Sequence, residues 1–382
     1  MKHMGWALGL VVVGLSCADQ TTTGDGNGAP AGNTASAGTL LDEVKLDPHA
    51  RIEGEVKQTN LVTDDQMKNM AAVTDDHLLN PWGLAFFPQG PAWISANGNG
   101  TTDVYDGTGK RLREVMIPST TGDPATPSGQ VFNPDPKAFR GDTFIAVTED
   151  GAIIGWKAAD DGTAVVEKDE APAVYKGVTI GMAHGRPHLY AANFHAGTVD
   201  VFDTHFAPAK LPGSFTDPKL PAGFAPFNLI DIGPFLLVSY ALQDDMQHDD
   251  VKGPGNGFVD VFSTEGFFVQ RLISQGVLNS PWAMVFAPDR KDHASIDLLV
   301  GNFGDGRINV YDLSLRHGQL SAEREGALGD TAGNPLVIDG LWGLAFGSGG
   351  AGFDASKLYF TAGPNDEGDG LFGSLSFVGP RR

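Results

Sequence analysis

The sequence NPWGLAF at residues 80–86 decides the fold, because the chain returns to it twice. Related versions stand at residues 279–286 (NSPWAMVF) and 340–346 (GLWGLAF), and each is followed by a variable loop and a second short apolar run. Short runs rich in Val, Ile, Phe and Tyr, bounded by Gly, Asp and Asn, are typical of β-strands. The repeat therefore predicts a succession of small antiparallel sheets.

The spacing of the repeat predicts the architecture. Trp82, Trp282 and Trp342 mark the same point of three units, and weaker units between them give a period of about 50 residues. Sheets repeated at this spacing are typical of propeller blades, which must stack around an axis to bury both faces. Since six units fit, the sequence predicts an all-β, six-bladed β-propeller over residues 51–382.

A ring of blades must also close, because an open sheet edge invites aggregation. The strand-like stretch at residues 56–62 precedes the first full unit, so we predict that it forms the outer strand of the last blade, beside residues 371–377. The composition agrees with an all-β fold: 51 Gly and 24 Pro residues are too many for long helices.

The first 17 residues have the pattern of a secretory signal: Lys2, an apolar run at residues 6–15 that is too short to span a membrane, and then Cys17. A cysteine at this point resembles a bacterial lipoprotein cleavage site. We therefore expect lipidation of Cys17, with ordinary cleavage or an incidental cysteine as alternatives. Residues 18–50 are expected to form a disordered Gly/Thr/Ala linker before the propeller.

The net charge and the absence of several sequence motifs exclude some classes of function. Lys and Arg number 26 against 47 Asp and Glu, a formal net charge of −21, which argues against nucleic-acid binding. The chain has no G-x-S-x-G, P-loop or H-E-x-x-H motif. Its single cysteine lies in the predicted signal, which excludes cysteine catalysis in the exported protein. We expect a monomer that touches a membrane only through the lipid anchor.

Oxygen-bearing side chains recur where each second strand ends. In a propeller these turns lie on the same face as the start of the innermost strands, so they should surround one mouth of the central channel. Ca²⁺ or another divalent cation prefers such ligands, although Asn and Asp are also favoured in turns for structural reasons. The candidates for a ligand-binding channel face are Asn80, Trp82, Asn97, Asn279, Trp282 and Trp342, and those for a metal are Glu149, Asn193 and Asn302.

Three features have simpler interpretations. We expect the tryptophans of the repeat to wedge between neighbouring blades, with ligand contact in the channel as the alternative. His184, His188 and His195 are expected to be exposed loop residues, since Gly185 and Pro187 rule out a regular helical zinc site. The acidic loop at residues 244–250 is expected to be solvated.

Several motifs together resemble an uncharacterised family of bacterial secreted proteins, over about residues 57–378. The resemblance implies a six-bladed propeller and export, but no established activity. More distantly, the blades resemble NHL-type and gluconolactonase-type propellers, and the second group binds a divalent metal through Glu, Asn and Asp at the channel mouth. Glu149, Asn193 and Asn302 are analogous to those ligands only in predicted position. The motifs are QTNLV (58–62), NPWG (80–83), FTDP (215–218), LPAGFAPF (220–227), residues 301–312, LWGLAF (341–346) and TAGP (361–364).

The leading hypothesis is an exported, surface-tethered propeller that binds an unknown small ligand or an envelope or extracellular partner at an acidic channel face. The alternative is a metal-dependent hydrolase or lactonase that uses the Asn, Asp and Glu residues of the channel mouth. A purely structural component of the bacterial cell envelope is the third possibility. Whether the protein is an enzyme stays open, because fold analogy does not establish function.

Overall fold

The computed structural model describes residues 54–122, 124–287, 296–316 and 319–378. Within them the chain forms six sheets, five with four or more strands and one with three, which confirms the predicted all-β, six-bladed propeller. The predicted signal segment, Cys17 and the linker lie outside the described residues. In the part of the chain that the structure describes, helical structure is confined to three short 3-10 turns, Asn97–Asn99, Phe139–Gly141 and Ala158–Asp160, and none of them is long and apolar enough to cross a membrane.

The strands follow the chain blade by blade. The fold begins with β1 (Glu55–Thr63) and the two-residue β2 (Val73–Thr74). Blade 1 contains β3 (Pro81–Phe86), β4 (Ala92–Ala96), β5 (Thr101–Tyr105) and β6 (Arg111–Met116). Blade 2 contains β7 (Pro127–Phe132), β8 (Phe144–Thr148), β9 (Ala152–Trp156) and β10 (Val165–Asp169). Blade 3 contains only β11 (Tyr175–Ala183), β12 (Arg186–Asn193) and β13 (Thr198–Phe202).

The second half of the chain completes the ring. Blade 4 contains β14 (Phe224–Asp231), β15 (Phe235–Leu242), β16 (Gly257–Ser263) and β17 (Phe268–Ser274). Blade 5 contains β18 (Pro281–Phe286), β19 (Ile296–Asn302), β20 (Ile308–Arg316) and β21 (Gln319–Ala327). The short β22 (Gly329–Asp330) follows, and blade 6 contains β23 (Leu341–Phe346), β24 (Leu358–Ala362) and β25 (Leu371–Phe377).

Blade 6 takes its fourth strand from the start of the fold. Strand β1 pairs antiparallel with β25, with Val56 opposite Phe377 and Thr63 opposite Leu371. The predicted closure by residues 56–62 is therefore confirmed. The first strand of every blade lies innermost: each contacts the first strand of the next blade, and β23 contacts β3, so that six inner strands surround the axis.

Most of the core lies between blades. Between blades 1 and 2, for example, Trp93 stacks on Phe144 with ring centres 4.1 Å apart and also contacts Trp156. Each blade is flat and apolar on both faces, so only stacking against two neighbours removes this surface from water.

Candidate functional site at the channel mouth

One mouth of the channel is formed by the beginnings of the inner strands and by the turns that end the second strands. Backbone hydrogen bonds join the two sets: Asn97 N donates to Asn80 O (3.1 Å), Gly304 N to Asn279 O (3.1 Å) and Gly363 N to Gly340 O (2.9 Å). The expectation that these turns share a face with the starts of the inner strands is confirmed.

Each inner strand carries an irregularity in pairing near its start, at the second residue in five strands and at the fourth residue, Phe227, in β14. Such a bulge bends a strand and redirects its side chains. In blades 1 and 6 the next residue is Gly, and space requires it, because a Cβ on Gly83 would lie 2.5 Å from Ser128 O and one on Gly343 2.7 Å from Trp82 O. The residues at these irregularities form a ring: Trp82, Ser128, Lys176, Phe227, Trp282 and Trp342.

The aromatic members of the ring close the channel. Trp82 stacks on Trp342 with ring centres 3.6 Å apart, Phe303 stacks on Trp342 at 3.8 Å, and Trp282 meets Trp342 edge-on at 5.7 Å. All three tryptophans are at most 5% exposed. The expectation that they wedge between neighbouring blades is wrong, because the bulges turn them toward the axis and toward one another. Trp93 wedges between blades instead.

Lys176 takes the ring position in blade 3 and is completely buried. Its ammonium donates to Glu149 Oε1 and to Asp249 Oδ1 (3.1 Å), and it lies 5.2 Å from the centre of the Trp82 ring. Burial lowers the pKa of Lys176, but the two carboxylates outweigh burial and the net pKa is raised. Lys176 is therefore positively charged at neutral pH.

The loop between β15 and β16 supplies the outer partner of Lys176. Asp249 Oδ1 lies 3.0 Å from His248 Nδ1, and hydrogen bonding to His248 followed by the charge of Lys176 lowers the pKa of Asp249. The same hydrogen bond raises the pKa of His248. The interpretation of this loop as merely solvated is thus incomplete, because Asp249 reaches a buried charge while two-thirds of its own side chain stays exposed.

Side chains of five blades form one hydrogen-bonded chain, which we call the mouth network. Asn80 Nδ2 donates to Glu367 Oε1 (3.0 Å) and Asn97 Oδ1 (3.3 Å), and Asn97 Nδ2 donates to Glu149 Oε2 (2.8 Å). Lys176 then connects Glu149 to Asp249. Burial raises the pKa of Glu367, and the nearby carboxylates of Glu149 and Asp249 raise it further, against the hydrogen bond from Asn80.

A strained turn delivers Glu367 to this network. Asn365, Asp366 and Glu367 are three consecutive residues with positive φ angles of 59°, 49° and 64°. A left-handed conformation costs roughly 1–2 kcal/mol per residue for L-amino acids. Backbone strain of this kind clusters at functional sites, where the surrounding structure holds it in place.

The structure does not join the three predicted metal ligands to one another. Asn193 Nδ2 donates to Asp200 Oδ2 (2.8 Å) within blade 3, and Asn302 Nδ2 donates to Asp305 Oδ1 (3.0 Å) within blade 5. The carboxylate of Glu149 accepts hydrogen bonds from Asn97 and Lys176 instead. The remaining channel-face candidate, Asn279, accepts a hydrogen bond from Gly253 N (2.6 Å) and lies outside the mouth network. A role of Glu149, Asn193 and Asn302 in metal binding stays a prediction.

Within the described residues, one group of three side chains places possible metal-ligating atoms within 4.8 Å of one another: Glu149, His248 and Asp249. The three histidines singled out in the sequence are not part of it. His184 contacts Glu265 at 3.3 Å, and His188 Nδ1 lies 3.0 Å from Arg186 O.

Lys176, Asp249 and Glu367 are the members of the mouth network that are absent from the site candidates predicted from the sequence. A signal for Lys176 exists: the YKG sequence at residues 175–177 stands where blade 1 has PWG and blade 6 has LWG. Aligning the inner strand of blade 3 with those motifs shows a lysine in place of tryptophan. Nothing in the sequence indicates that Asp249, rather than the neighbouring acidic residues of its loop, reaches this lysine.

Comparison with known proteins identifies relatives along most of the chain. The uncharacterized protein L690 of Acanthamoeba polyphaga mimivirus is 33% identical over 325 residues, which cover 80% of this chain and 82% of L690. The chain belongs to its family. The uncharacterized protein R648 of the same virus is 31% identical over 323 residues, covering 80% of this chain and 77% of R648. No protein-family model matches the chain.

Some solved structures are similar to this chain in fold. The α-L-arabinofuranosidase Arb93A of Fusarium graminearum has a TM-score of 0.51 and 11% identity, covering 85% of this chain and 98% of that one. The periplasmic gluconolactonase of Pseudomonas aeruginosa has a TM-score of 0.44 and 16% identity, covering 79% and 87%. The expected likeness to gluconolactonase-type propellers stays a prediction. The two family members named above are viral, so bacterial origin stays a prediction.

Proposed function

We propose that this protein binds a cationic ligand, a small molecule or a basic group of a partner, at the mouth network. One observation carries the proposal: the network contains three carboxylates, Glu149, Asp249 and Glu367, for a single ammonium, that of Lys176. The carboxylates come from three different blades, so their convergence is a product of ring closure. An unbalanced negative charge at a channel mouth attracts cations.

The exposed fraction of each side chain determines which part of the mouth network a ligand can contact. Lys176 and Asn80 are buried, whereas the side chain of Asp249 is 67% exposed and that of His248 is 46% exposed. The ligand therefore meets the loop between β15 and β16 first, and the buried members hold that surface in position. The formal net charge of −21 extends the attraction over the whole molecule.

The test uses two organic cations, spermidine and choline, titrated into the purified protein by calorimetry at low ionic strength. We expect saturable binding that Asp249→Asn and Glu367→Gln each weaken several-fold. Asp245→Asn and Asp366→Asn are the matched controls, because they remove the same charge from exposed neighbouring positions of the same two loops. Equal weakening in the control and network variants would show nonspecific attraction, and no binding of either cation would overturn the proposal.

Export to the cell envelope or the extracellular space is part of the same proposal. It is supported by the signal-like residues 1–17, and a lipid on Cys17 would keep the propeller at a membrane surface.

A second candidate, a divalent-metal-dependent hydrolase or lactonase, is favoured by the convergence of Glu149, His248 and Asp249. Lys176 argues against it, because its ammonium already contacts both carboxylates. Metal analysis of the purified protein and its melting temperature before and after chelation decide the question, since a metal bound to the native state raises stability. If a metal is found, Asp249→Asn tests this group, and Asn193→Ala and Asn302→Ala test the ligands predicted from sequence.

A further inference from the structure

A short motif recurs on the third strand of four blades and places an Asp or Asn side chain at the same point. In three of these blades the fourth strand supplies an arginine to that side chain; in blade 5, for example, Arg324 Nη2 donates to Asn309 Oδ1 (3.2 Å). The motif reads TDVY at 102–105, VDVF at 199–202, VDVF at 259–262 and INVY at 308–311. Blade 3 is the exception, because its third strand, β13, is also its outermost strand.

In blade 1 the arginine contacts two carboxylates. Arg111 Nη1 lies 3.0 Å from Asp75 Oδ1 and 3.6 Å from Asp103 Oδ1. Asp103 belongs to the motif, and Asp75 lies in the segment that leads into the inner strand β3. Blade 4 repeats the arrangement with the trio Arg271, Asp217 and Asp260. A guanidinium suits this position, because its planar fork of N–H donors can serve two carboxylates at once.

Blade 3 has the two carboxylates without the arginine. Asp200 is its motif residue, and Glu170 lies in the segment that leads into the inner strand β11. Both line a pocket of about 440 Å³ beside β13, where the other blades have a fourth strand. Tyr175 Oη donates to Asp200 Oδ2 (3.0 Å). Burial raises the pKa of Tyr175, and the charges of Asp200 and Glu170 raise it further, which places both carboxylates close to this hydroxyl.

The cations near this pocket do not take the place of the missing arginine. Lys168 Nζ lies 2.7 Å from Glu170 Oε1, but no described lysine or arginine forms an ion pair with Asp200. Lys210 lines the pocket as well, yet it is exposed and has no ion pair within the part of the chain that the structure describes. The carboxylate of Asp200 is thus left without a direct cationic partner, unlike its counterparts in blades 1 and 4. Its hydrogen bonds come from uncharged donors: Tyr175, Asn193 and Thr198.

The backbone of β13 is also open along part of its outer edge. After β13 the chain turns back, and Ala209 N donates to Val201 O (2.8 Å). The chain then leaves for blade 4, where Gly213 N donates to Glu265 O (2.9 Å). Alternate residues of a strand direct their N–H and C=O groups to the same side, so those of Val199 point outward like the carbonyl of Val201. Neither group of Val199 forms such a bond to a neighbouring segment in the described ranges. An edge of this kind can pair with an extended segment of another chain.

We propose that blade 3 receives its fourth strand from a partner protein. An extended segment of the partner pairs with β13 and places the guanidinium of an arginine beside Asp200 and Glu170. Since neighbouring side chains of a strand point to opposite faces, the residues before and after this arginine lie on the side of Leu211 and Phe215, which favours apolar residues there. This surface lies on the outer rim of the ring and shares no residue with the mouth network.

The test uses the peptide FVQRLIS, the sequence of β17 (Phe268–Ser274), which carries Arg271 and already forms the fourth strand of blade 4. The peptide, capped at both ends, is titrated into the full-length protein by calorimetry. We expect saturable binding that becomes at least tenfold weaker when citrulline, which has a similar shape and no charge, replaces the arginine.

Variants of the protein locate the site. Asp200→Asn and Glu170→Gln, on two different segments, should each weaken binding of the peptide several-fold. Asp245→Asn removes the same charge from an exposed position in the loop between β15 and β16 and should leave binding unchanged. Melting curves show whether each variant folds.

Two further peptides test the backbone pairing without altering the protein. Methyl groups on alternate peptide nitrogens block the hydrogen bonds along one edge of a strand, so one of the two possible sets should abolish binding and the other should be tolerated. The proposal is overturned if the parent peptide does not bind, if the citrulline peptide binds equally well, or if the two methylated peptides bind equally.

Other occupants of this edge give different results. Dimerisation of the protein in competition with the peptide would assign the edge to a second copy of this chain and contradict the proposal. Tighter peptide binding by Arg51→Gln would assign it to the N-terminal segment of this chain, with the same consequence. The mouth variants Asp249→Asn and Glu367→Gln should leave peptide binding unchanged, so this proposal and that of the mouth fail separately.

Discussion

The ammonium of Lys176 lies 5.2 Å from the centre of the Trp82 ring, so the positive charge of blade 3 rests against the aromatic cluster that closes the channel. Glu149 of blade 2 and Asp249 of blade 4 form ion pairs with this ammonium. A charged lysine thus occupies a ring position that three other blades fill with tryptophan. The stability of the aromatic cluster therefore depends on the charged side chains at the channel mouth.

Replacing Lys176 with Met should lower the free energy of unfolding by about 3 kcal/mol. The variant leaves Glu149, whose side chain is only 9% exposed, without its cationic partner, and removal of one partner from a buried ion pair typically costs ~3–5 kcal/mol. Urea denaturation at pH 7 measures the loss. The double variant Lys176→Met, Glu149→Gln removes the unpaired charge and should recover part of it. A single variant as stable as the wild type would contradict the assigned role of Lys176.

Replacing Val62 with Asp should open the ring. Val62 in β1 is completely buried in the apolar cluster between blades 6 and 1, and an isolated carboxylate there costs several kcal/mol. We expect a large loss of stability and self-association through the freed edge of β25, measured by thermal melting and size-exclusion chromatography. Lys57→Asp introduces the same side chain at an exposed position of the same strand and should shift stability by less than about 0.5 kcal/mol. Equal behaviour of the two variants would argue against closure by β1.

Buried carboxyls should make the protein less stable as the pH rises from about 4 to 8. Burial raises the pKa of Asp260 to about 8, with a further contribution from Asp217, and burial raises the pKa of Asp103 to about 7. The unfolded chain releases these protons near pH 3.9, whereas the folded protein retains them. Their stabilising contribution is therefore complete below pH 4 and is lost as the pH approaches the folded values.

Asp260→Asn measures this effect directly. The amide cannot ionise, so the variant should be more stable than the wild type at pH 8 and should show a flatter pH dependence. Urea denaturation at pH 5, 6.5 and 8 gives the comparison, with the exposed Asp245→Asn as control. Parallel curves for wild type and Asp260→Asn would mean that Asp260 is ionised in the folded protein.

The stability of the left-handed turn at Asn365–Glu367 should depend on the shape of the side chain at position 366. The side chain of Asp366 is fully exposed, and its 3.9 Å ion pair with Lys252 is removed equally by both replacements below, so that their difference reports the backbone preference. Asp366→Val should destabilise the protein by about 1–2 kcal/mol, because β-branched residues are the least tolerant of positive φ. Asp366→Gly should be neutral or stabilising. The difference between the two melting temperatures is the measurement, and identical values would show that the turn is not strained.

Replacing Cys17 with Ser should release the protein from membranes if the cysteine carries a lipid. Fractionation of expressing cells shows whether the wild type sediments with membranes and the variant stays in the soluble fraction. Continued membrane association of Cys17→Ser would exclude a lipid anchor at this residue.

The fold was predictable because it depends on local patterns that repeat. The NPWGLAF stretch and its relatives mark the inner strands, and six such units require a closed ring, for which residues 56–62 were the available outer strand. Each of these inferences needs only the alternation of short apolar runs with turns.

The site was less predictable because its geometry depends on how the blades meet. The second strands placed Asn97 and Glu149 on the correct face, but the direction of Trp82 depends on a bulge that the sequence does not reveal. Lys176 and Asp249 are 73 residues apart, and no local pattern connects them. Asn193 and Asn302 occupy comparable turns, yet Asn193 bonds to Asp200 of its own blade, and Asn302 bonds to Asp305 and to the backbone oxygen of Val277.

Closure of the ring by β1 and β25 also sets an order of events during synthesis. Strand β1 leaves the ribosome first and must wait for Leu371–Phe377, after all five other blades have been made. Throughout that interval β1 has no antiparallel partner and the ring is incomplete. Any factor that shields β1 early in translation would therefore protect the whole molecule from association with neighbouring chains.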